Sequence, residues 1–289
     1  MNKLLQGHLE QTIIDYLGTE QHFVWKPVGG GSINTCYRIS GGHSQFFVKT
    51  NDSSVFKNGF LEEKQGLEFL KNNGVEVPEI IKDGSFKNKI YLILKWVESG
   101  TKTVDFWHNL AEQLTILHQK KNKSFGLDYS NYMGQLIQSN AFESTFVNFF
   151  IKNRLKPQVK LAFDNSLLRK KQLQSFEKLY LELPSIFPKE KPTAVHGDLW
   201  SGNYICAASN TAVFIDPAVY YGHREVDLAM TLLFGGFSPE FYQYYDELFP
   251  IEPDLNKRVD FYNLYPLLIH LNLFGSSYFS QIDSIVSQF

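Results

Sequence analysis

Apolar residues fall at positions 4, 5, 9, 13, 14 and 17, the spacing of one helical face, so the chain is expected to open with an amphipathic helix. The period then shortens. Phe23-Val24-Trp25, Thr35-Cys36-Tyr37-Arg38-Ile39 and Gln45-Phe46-Phe47-Val48-Lys49 read as strands, separated by Gly29-Gly30-Gly31-Ser32 and by a Gly41-Gly42 turn. Together they predict an antiparallel meander. Helical spacing returns over 60–72 through Phe60, Leu67 and Leu70 and stops at Asn73-Gly74. Ile80-Ile81 and Ile90-Tyr91-Leu92-Ile93-Leu94 are two further strands. After Trp96-Val97-Glu98-Ser99-Gly100 the pattern turns helical, over 103–119, 140–163 and 167–183, with breaks expected at Pro184, Pro188 and Pro192. Thr193–His196 and Ala212–Ile215 are short apolar runs bracketing a polar turn at 208–211, and from about residue 224 the spacing is helical again. The order implies an α+β fold of two lobes. A small lobe with an antiparallel sheet spans 1–97, and a larger, mainly helical lobe spans 98–289 with one short β element inside it.

Composition narrows the class. The chain has 289 residues, long enough to bury a core without disulfides, and 43% hydrophobic against 20% charged residues excludes a disordered chain. A net charge of −2 argues against a general nucleic-acid or membrane-surface binder. Cys36 and Cys206 are far apart and form no CxxC or His/Cys cluster, so neither zinc nor a redox pair is indicated. The first residues turn polar after two leucines, and the longest apolar stretch, Leu264 to Gly275, is interrupted by His270 and Asn272. A signal peptide and a membrane span are therefore not expected, and a cytoplasmic protein is. Aromatic residues make up 15% of the chain, an excess that composition alone assigns only to a large core.

The chemistry is concentrated in His196-Gly197-Asp198-Leu199-Trp200-Ser201-Gly202-Asn203, which has the form H-x-D-L-x-x-x-N. Kinase catalytic loops have this form: Asp accepts the proton of the acceptor hydroxyl and Asn reaches a Mg²⁺ ion. A second acid, Asp216, ends an apolar run, and a hairpin from Ile205 to Ile215 would return it beside Asn203. One carboxylate and one amide oxygen, completed by ATP phosphates and water, suit Mg²⁺. The first lobe supplies the rest in kinase order. Gly29, Gly30, Gly31 and Ser32 form a glycine turn for the phosphates, and Lys49 ends the following strand. Glu62, Glu63 and Glu68 share the next helix, where periodicity does not choose the partner of Lys49. Lys95 and Val97 sit where the lobes connect, so their main-chain groups would meet the adenine edge.

The run Asp216-Pro217-Ala218-Val219-Tyr220-Tyr221-Gly222-His223-Arg224-Glu225-Val226-Asp227-Leu228-Ala229-Met230 strongly resembles the fructosamine kinase family, as do His196–Asn203 and Leu233-Phe234-Gly235-Gly236-Phe237. The resemblance continues through Arg258, Tyr262, Leu264-Tyr265, His270 and Phe274-Gly275, and in the first lobe through Gly30–Ile33 and Phe47–Lys49. It implies a protein-kinase-like fold of the aminoglycoside-phosphotransferase branch. The implied activity is phosphorylation of ketosamines, the Amadori products of sugars with small amines or proteins, at the 3-hydroxyl. It makes Asp198 the catalytic base, Asn203 and Asp216 the Mg²⁺ ligands and Lys49 the phosphate-contacting lysine. Matching Phe60-Leu61-Glu62-Glu63 to the family's F-x-x-E selects Glu63 as the partner of Lys49. Trp200 and His270 correspond to sugar-pocket positions, and His196 and Asp227 to supports of the catalytic loop. Some members carry a cysteine in the glycine loop where this chain has Ser32, so a thiol switch there is not expected.

The implied role is deglycation, with a lean toward the shorter sugars, ribulosamine or erythrulosamine, that bacterial-type relatives favour. The alternative within enzymes is a kinase of the aminoglycoside or choline type. Asp246, Glu247, Glu252 and Asp254 form the acidic segment that a polycation pocket would use. A protein kinase does not fit, because DFG and APE are missing. On this reading part of the aromatic excess, drawn from Trp200, Tyr220-Tyr221 and the aromatic residues between Phe234 and Phe274, walls a sugar pocket beside Asp198, while Phe142, Phe146, Phe149 and Phe150 belong to helical core.

Overall fold

The computed structural model describes residues 2–29, 34–55 and 59–289. Gly30, Gly31 and Ser32 therefore lie outside the described residues. Helix α1 (Lys3–Leu17) starts where the Asn2 side chain accepts a hydrogen bond from Leu4 N and ends at Gly18, whose φ of 70° suits a residue without Cβ. The strands β1 (Val24–Val28), β2 (Thr35–Gly41), β3 (Ser44–Asp52), β4 (Ile80–Phe86) and β5 (Lys89–Lys95) form one antiparallel sheet in the order β1-β2-β3-β5-β4. Helix α2 (Leu61–Asn72) lies between β3 and β4 in the chain. Strand side chains alternate between faces. Phe46 and Val48 pack with Leu5, Leu9 and Ile13 under α1. The opposite face carries Leu92 and Leu94 against Phe60 and Leu67 of the α2 side. The same alternation turns Lys49 away from α1 and toward α2.

The second lobe opens with α3 (Val104–His118), capped by Thr103 Oγ1, which accepts from Phe106 N at 3.3 Å. It continues with a hairpin of β6 (Asn131–Met133) and β7 (Leu136–Gln138), then α4 (Phe146–Phe149), a π-helical turn (Phe150–Leu155), α5 (Lys156–Asp164) and α6 (Lys170–Ile186). The strands β8 (Thr193–Val195), β9 (Tyr204–Cys206), β10 (Ala212–Phe214) and β11 (Tyr220–Gly222) pair as β9-β10 and β8-β11. The chain ends with α7 (Glu225–Leu233), α8 (Pro239–Leu248), α9 (Leu255–Phe274) and α10 (Phe279–Val286). The main core lies between these helices. Three expectations change. The single short β element becomes three two-stranded pairs. The helix expected from 140 begins at Phe146, because Thr145 Oγ1 accepts from Asn148 N and caps it there; Phe142, upstream of that cap, is 53% exposed and is not core. Pro184 does not end α6, which runs two residues further; a proline in the last turn forfeits only one backbone bond. Among the described residues no helix is long and apolar enough to cross a membrane.

Backbone and side-chain hydrogen bonds tie the connector and the two lobes together. The connector after β5 pairs with the β9-β10 hairpin, Gly100 N donating to Cys206 O at 2.7 Å. Phe214 N donates to Glu76 O at 2.8 Å, tying β10 to the loop after α2. A cleft of about 480 Å³ is left between the lobes.

Candidate active site

The catalytic-loop segment leaves β8 at His196. Gly197 has φ 83°, and a Cβ there would overlap the carbonyl oxygen of Ala218, so the close passage of the two strands requires glycine. Asp227, fully buried near the start of α7, accepts from His196 N at 2.7 Å and from Gly197 N at 2.8 Å. Its Oδ2 also lies 3.1 Å from His118 Nε2. Burial holds His118 below the usual histidine value. A neutral ring that donates from Nε2 to the carboxylate accepts at Nδ1, where the Tyr245 hydroxyl lies 2.7 Å away. His196, also buried and held low by burial, reaches Ile215 O through Nε2 at 3.1 Å. The turn before Asp198 is thus held from below by one carboxylate and from the side by one imidazole.

Asn203 Nδ2 donates to Asp198 O at 2.7 Å and to Asp198 Oδ2 at 2.9 Å. That commits the amide nitrogen and leaves Oδ1 as the atom able to meet a cation. The β9-β10 hairpin closes with Ile215 N on Asn203 O at 3.0 Å, which returns Asp216 to the loop. Asp216 has φ 53°, a left-handed backbone uncommon for residues with Cβ but more readily taken by aspartate than by most. Lys49 Nζ pairs with Asp216 Oδ1 and, at 2.8 Å, with Glu63 Oε1. Of the three acids on α2, Glu63 is the one that meets Lys49.

The electrostatics follow from this packing. Burial alone would lower Lys49, but the Asp216 and Glu63 carboxylates outweigh it and raise it above the usual lysine value. Burial pushes Glu63 up against the pull of Lys49, while at Asp216 the opposing charge of Lys49 wins and holds the carboxyl low. Burial raises Asp198 well above the ordinary carboxylate range; the Asn203 hydrogen bond offsets part of this, and the charges of Asp216 and Asp227 add to it.

Gly29, Lys49, Glu63, Lys95, Val97, Asp198, Trp200, Asn203 and Asp216 all line the cleft. The Lys95 ammonium pairs with Glu79 at 3.4 Å, both side chains exposed. His270 does not line the cleft. Phe234 stands between it and Trp200, with ring centroids 5.1 Å from His270 and 6.1 Å from Trp200. Its Nδ1 donates to Pro266 O at 2.7 Å, and burial keeps it below the usual value. Of the aromatic residues expected at a sugar pocket, Trp200, Phe234 and Phe274 are exposed, whereas Tyr220 is core. The acidic residues Asp246, Glu247, Glu252 and Asp254 lie outside the cleft lining. Cys36 lines the cleft opposite Lys49 in the β2-β3 register; burial pushes its thiol up, toward the unreactive form. Sequence reasoning missed two features: His118, which no single-sequence signal distinguishes, and the β6-β7 hairpin, which the Gly134-Gln135 dipeptide between short apolar runs announced.

An antiparallel lobe over a helical lobe, with the lysine, paired glutamate, loop aspartate and hairpin aspartate converging between them, defines a phosphotransferase of the protein-kinase-like fold. The family model for fructosamine kinase matches residues 5–289, and the chain belongs to that family. It is 41% identical over 269 residues to a probable ketoamine kinase of Enterococcus faecium, covering 91% of this chain and 94% of that one. It is 34% identical to a chloroplastic protein-ribulosamine 3-kinase of Oryza sativa subsp. indica, covering 91% and 77%. A solved structure assigned as a fructosamine-3-kinase from Haemophilus somnus superposes with TM-score 0.87 at 26% identity, over 97% and 96% of the two chains. An aminoglycoside phosphotransferase solved with AMP-PNP and hygromycin B shares the fold alone, with TM-score 0.67 and 16% identity. The chain is accordingly an ATP-dependent kinase.

Proposed function

We propose that this protein is a ketosamine 3-kinase that phosphorylates the 3-hydroxyl of ribulosamines, erythrulosamines or fructosamines on small amines or proteins, and so promotes deglycation in the cytoplasm. The observation that carries the reading is the convergence of Lys49, Glu63 and Asp216 beside an Asp198 whose carboxylate is held by Asn203. On this reading Lys49 meets the ATP phosphates, and the backbone at Lys95 and Val97 meets the base, with Gly29 at the start of the phosphate turn. Asp198 orients the sugar hydroxyl and accepts its proton as the phosphorus–oxygen bond forms. Asn203 Oδ1 and an Asp216 oxygen are hard oxygen donors and fit a Mg²⁺ ion that takes its remaining ligands from phosphates and water. Among the described residues no three His, Cys, Asp or Glu side chains gather as a metal cage, in keeping with an ion shared with the nucleotide. Bound there, Mg²⁺ would neutralise charge on the transferring phosphoryl group. Trp200 borders the acceptor side and His270 supports it through Phe234. His196 and Asp227 hold the loop.

The product explains the role. With phosphate on C3 of a ketosamine, enolisation of C2 toward C1 can expel phosphate, and hydrolysis of the resulting imine frees the amine. The test is a comparison of kcat/KM for ribulose-lysine, erythrulose-lysine, fructose-lysine and kanamycin with Mg-ATP. Turnover of the ketosamines is expected, and turnover of kanamycin alone would overturn the assignment. Asp198→Asn should abolish transfer and leave nucleotide binding intact.

A further inference from the structure

The β6-β7 hairpin is not part of the roles assigned above, yet Asn131, Tyr132, Met133 and Gly134 line the same cleft as Asp198. It is fastened one strand away from the catalytic loop. Ala218 N donates to His196 O at 2.9 Å, and Ala218 O in turn accepts from Gln138 Nε2 at 3.0 Å. Asn131 Nδ2 donates to Val219 O at 2.8 Å while its Oδ1 accepts from both Gln138 and Asn140. Asn140 Oδ1 accepts from Arg154 Nη2 at 2.7 Å, and Arg154 is fully buried. A hairpin this tightly satisfied has no freedom to swing, so the side chains it offers the cleft form a fixed wall.

The two ends of the acceptor region differ. At one end Trp200, which lines the cleft from the catalytic loop, is 37% exposed. At the hairpin end Asn131, Met133 and Ala218 are buried, and Tyr132 is half-buried against the Phe60 and Leu67 cluster. A ketosamine is also asymmetric about C3. The C1 side carries an amine of unlimited size, a whole protein included, and the C4 side ends after one to three carbons. Only the open end can take the amine. Resting on the ketosamine reading, we propose that Tyr132 and Met133 form the wall that measures the sugar tail beyond C3, and thereby choose among four-, five- and six-carbon sugars.

The test measures kcat/KM of wild type, Met133→Ala and Tyr132→Ala with erythrulosyl-, ribulosyl- and fructosyl-lysine, and then with ribulosyl-methylamine and a ribulosylated protein. Room for one or two extra carbons is worth tenfold or more in a close-fitting pocket, so the ratio of fructosyl- to erythrulosyl-lysine should rise about tenfold in at least one variant. The dependence on the amine should not change. Unaltered sugar ratios in both the Met133 and the Tyr132 variants overturn the proposal. So does a change in the amine dependence alone, which would put the amine beside Glu62 at the hairpin end. If Met133→Ala does not fold, Met133→Leu and the half-buried Tyr132 still give the ratio. Failure of wild type to phosphorylate any ketosamine would instead strike at the functional reading itself.

Discussion

Asp227→Asn isolates what one buried carboxylate does for the catalytic loop. In the native site Oδ1 accepts from Gly197 N, and Oδ2 accepts from His196 N and His118 Nε2. An amide has one oxygen. If it stays toward Gly197, the new NH₂ faces His196 N–H; if it turns, the NH₂ faces Gly197 N–H. His118 can respond by moving its proton to Nδ1 and donating to Tyr245, but a backbone N–H cannot. One buried donor is therefore left without an acceptor in either orientation, at a cost of about 1–3 kcal/mol. The same loss frees the turn that aims Asp198, and a displacement of about 1 Å at a reacting group costs on the order of 10²-fold in rate. Urea unfolding should show a lower midpoint at unchanged m-value, and kcat should fall by about that factor while the KM for ATP changes little. Stability within about 0.5 kcal/mol of wild type, far inside the cost of an orphaned N–H, together with an undiminished kcat would refute the claim that Asp227 holds the loop.

Two further outcomes follow from the buried charges of the second lobe. Arg258 makes a two-pronged pair with Glu225, at 2.8 and 2.6 Å, and Glu225 is fully buried; Arg258→Ala should cost about 3–5 kcal/mol in chemical denaturation by leaving that carboxylate unpaired. His223 is buried and, by burial and then the Arg224 and Arg258 charges, held down to about 3, so it stays neutral in the fold while the unfolded chain takes a proton below about pH 6.5. Its contribution is present above that pH and is lost as pH falls toward 3, at about 1.4 kcal/mol per pH unit; His223→Gln should remove one proton from the measured pH dependence of stability, and an unchanged slope would contradict it.

Periodicity and spacing made much of this protein legible in one dimension. The Phe46–Lys49 run and the Gly41-Gly42 turn before it announced the sheet, because strand faces are set by local geometry that neighbours only reinforce. The loop His196–Asn203 and the return of Asp216 could be read because a loop and a hairpin keep their partners within about twenty residues. Helix ends were misjudged even where the deciding feature was local: a threonine cap shortened the helix expected from 140, and Pro184 cost too little to end α6. Spacing left Glu62 and Glu63 equal on α2, and it took the family resemblance to favour Glu63. Contacts between residues far apart in sequence had no trace in a single chain. His118 meets Asp227 across 109 positions, and Lys49 meets Asp216 across 167. His270, matched to a sugar pocket by its position in the family pattern, lies behind Phe234 because α9 turns it onto the Pro266 carbonyl. The sequence by itself determined which chemically able groups are present and in what local order, since residue types and spacing are written in it. Only the packed structure decided which groups face one another and which end of the cleft is open, because long-range packing alone sets distances between distant segments.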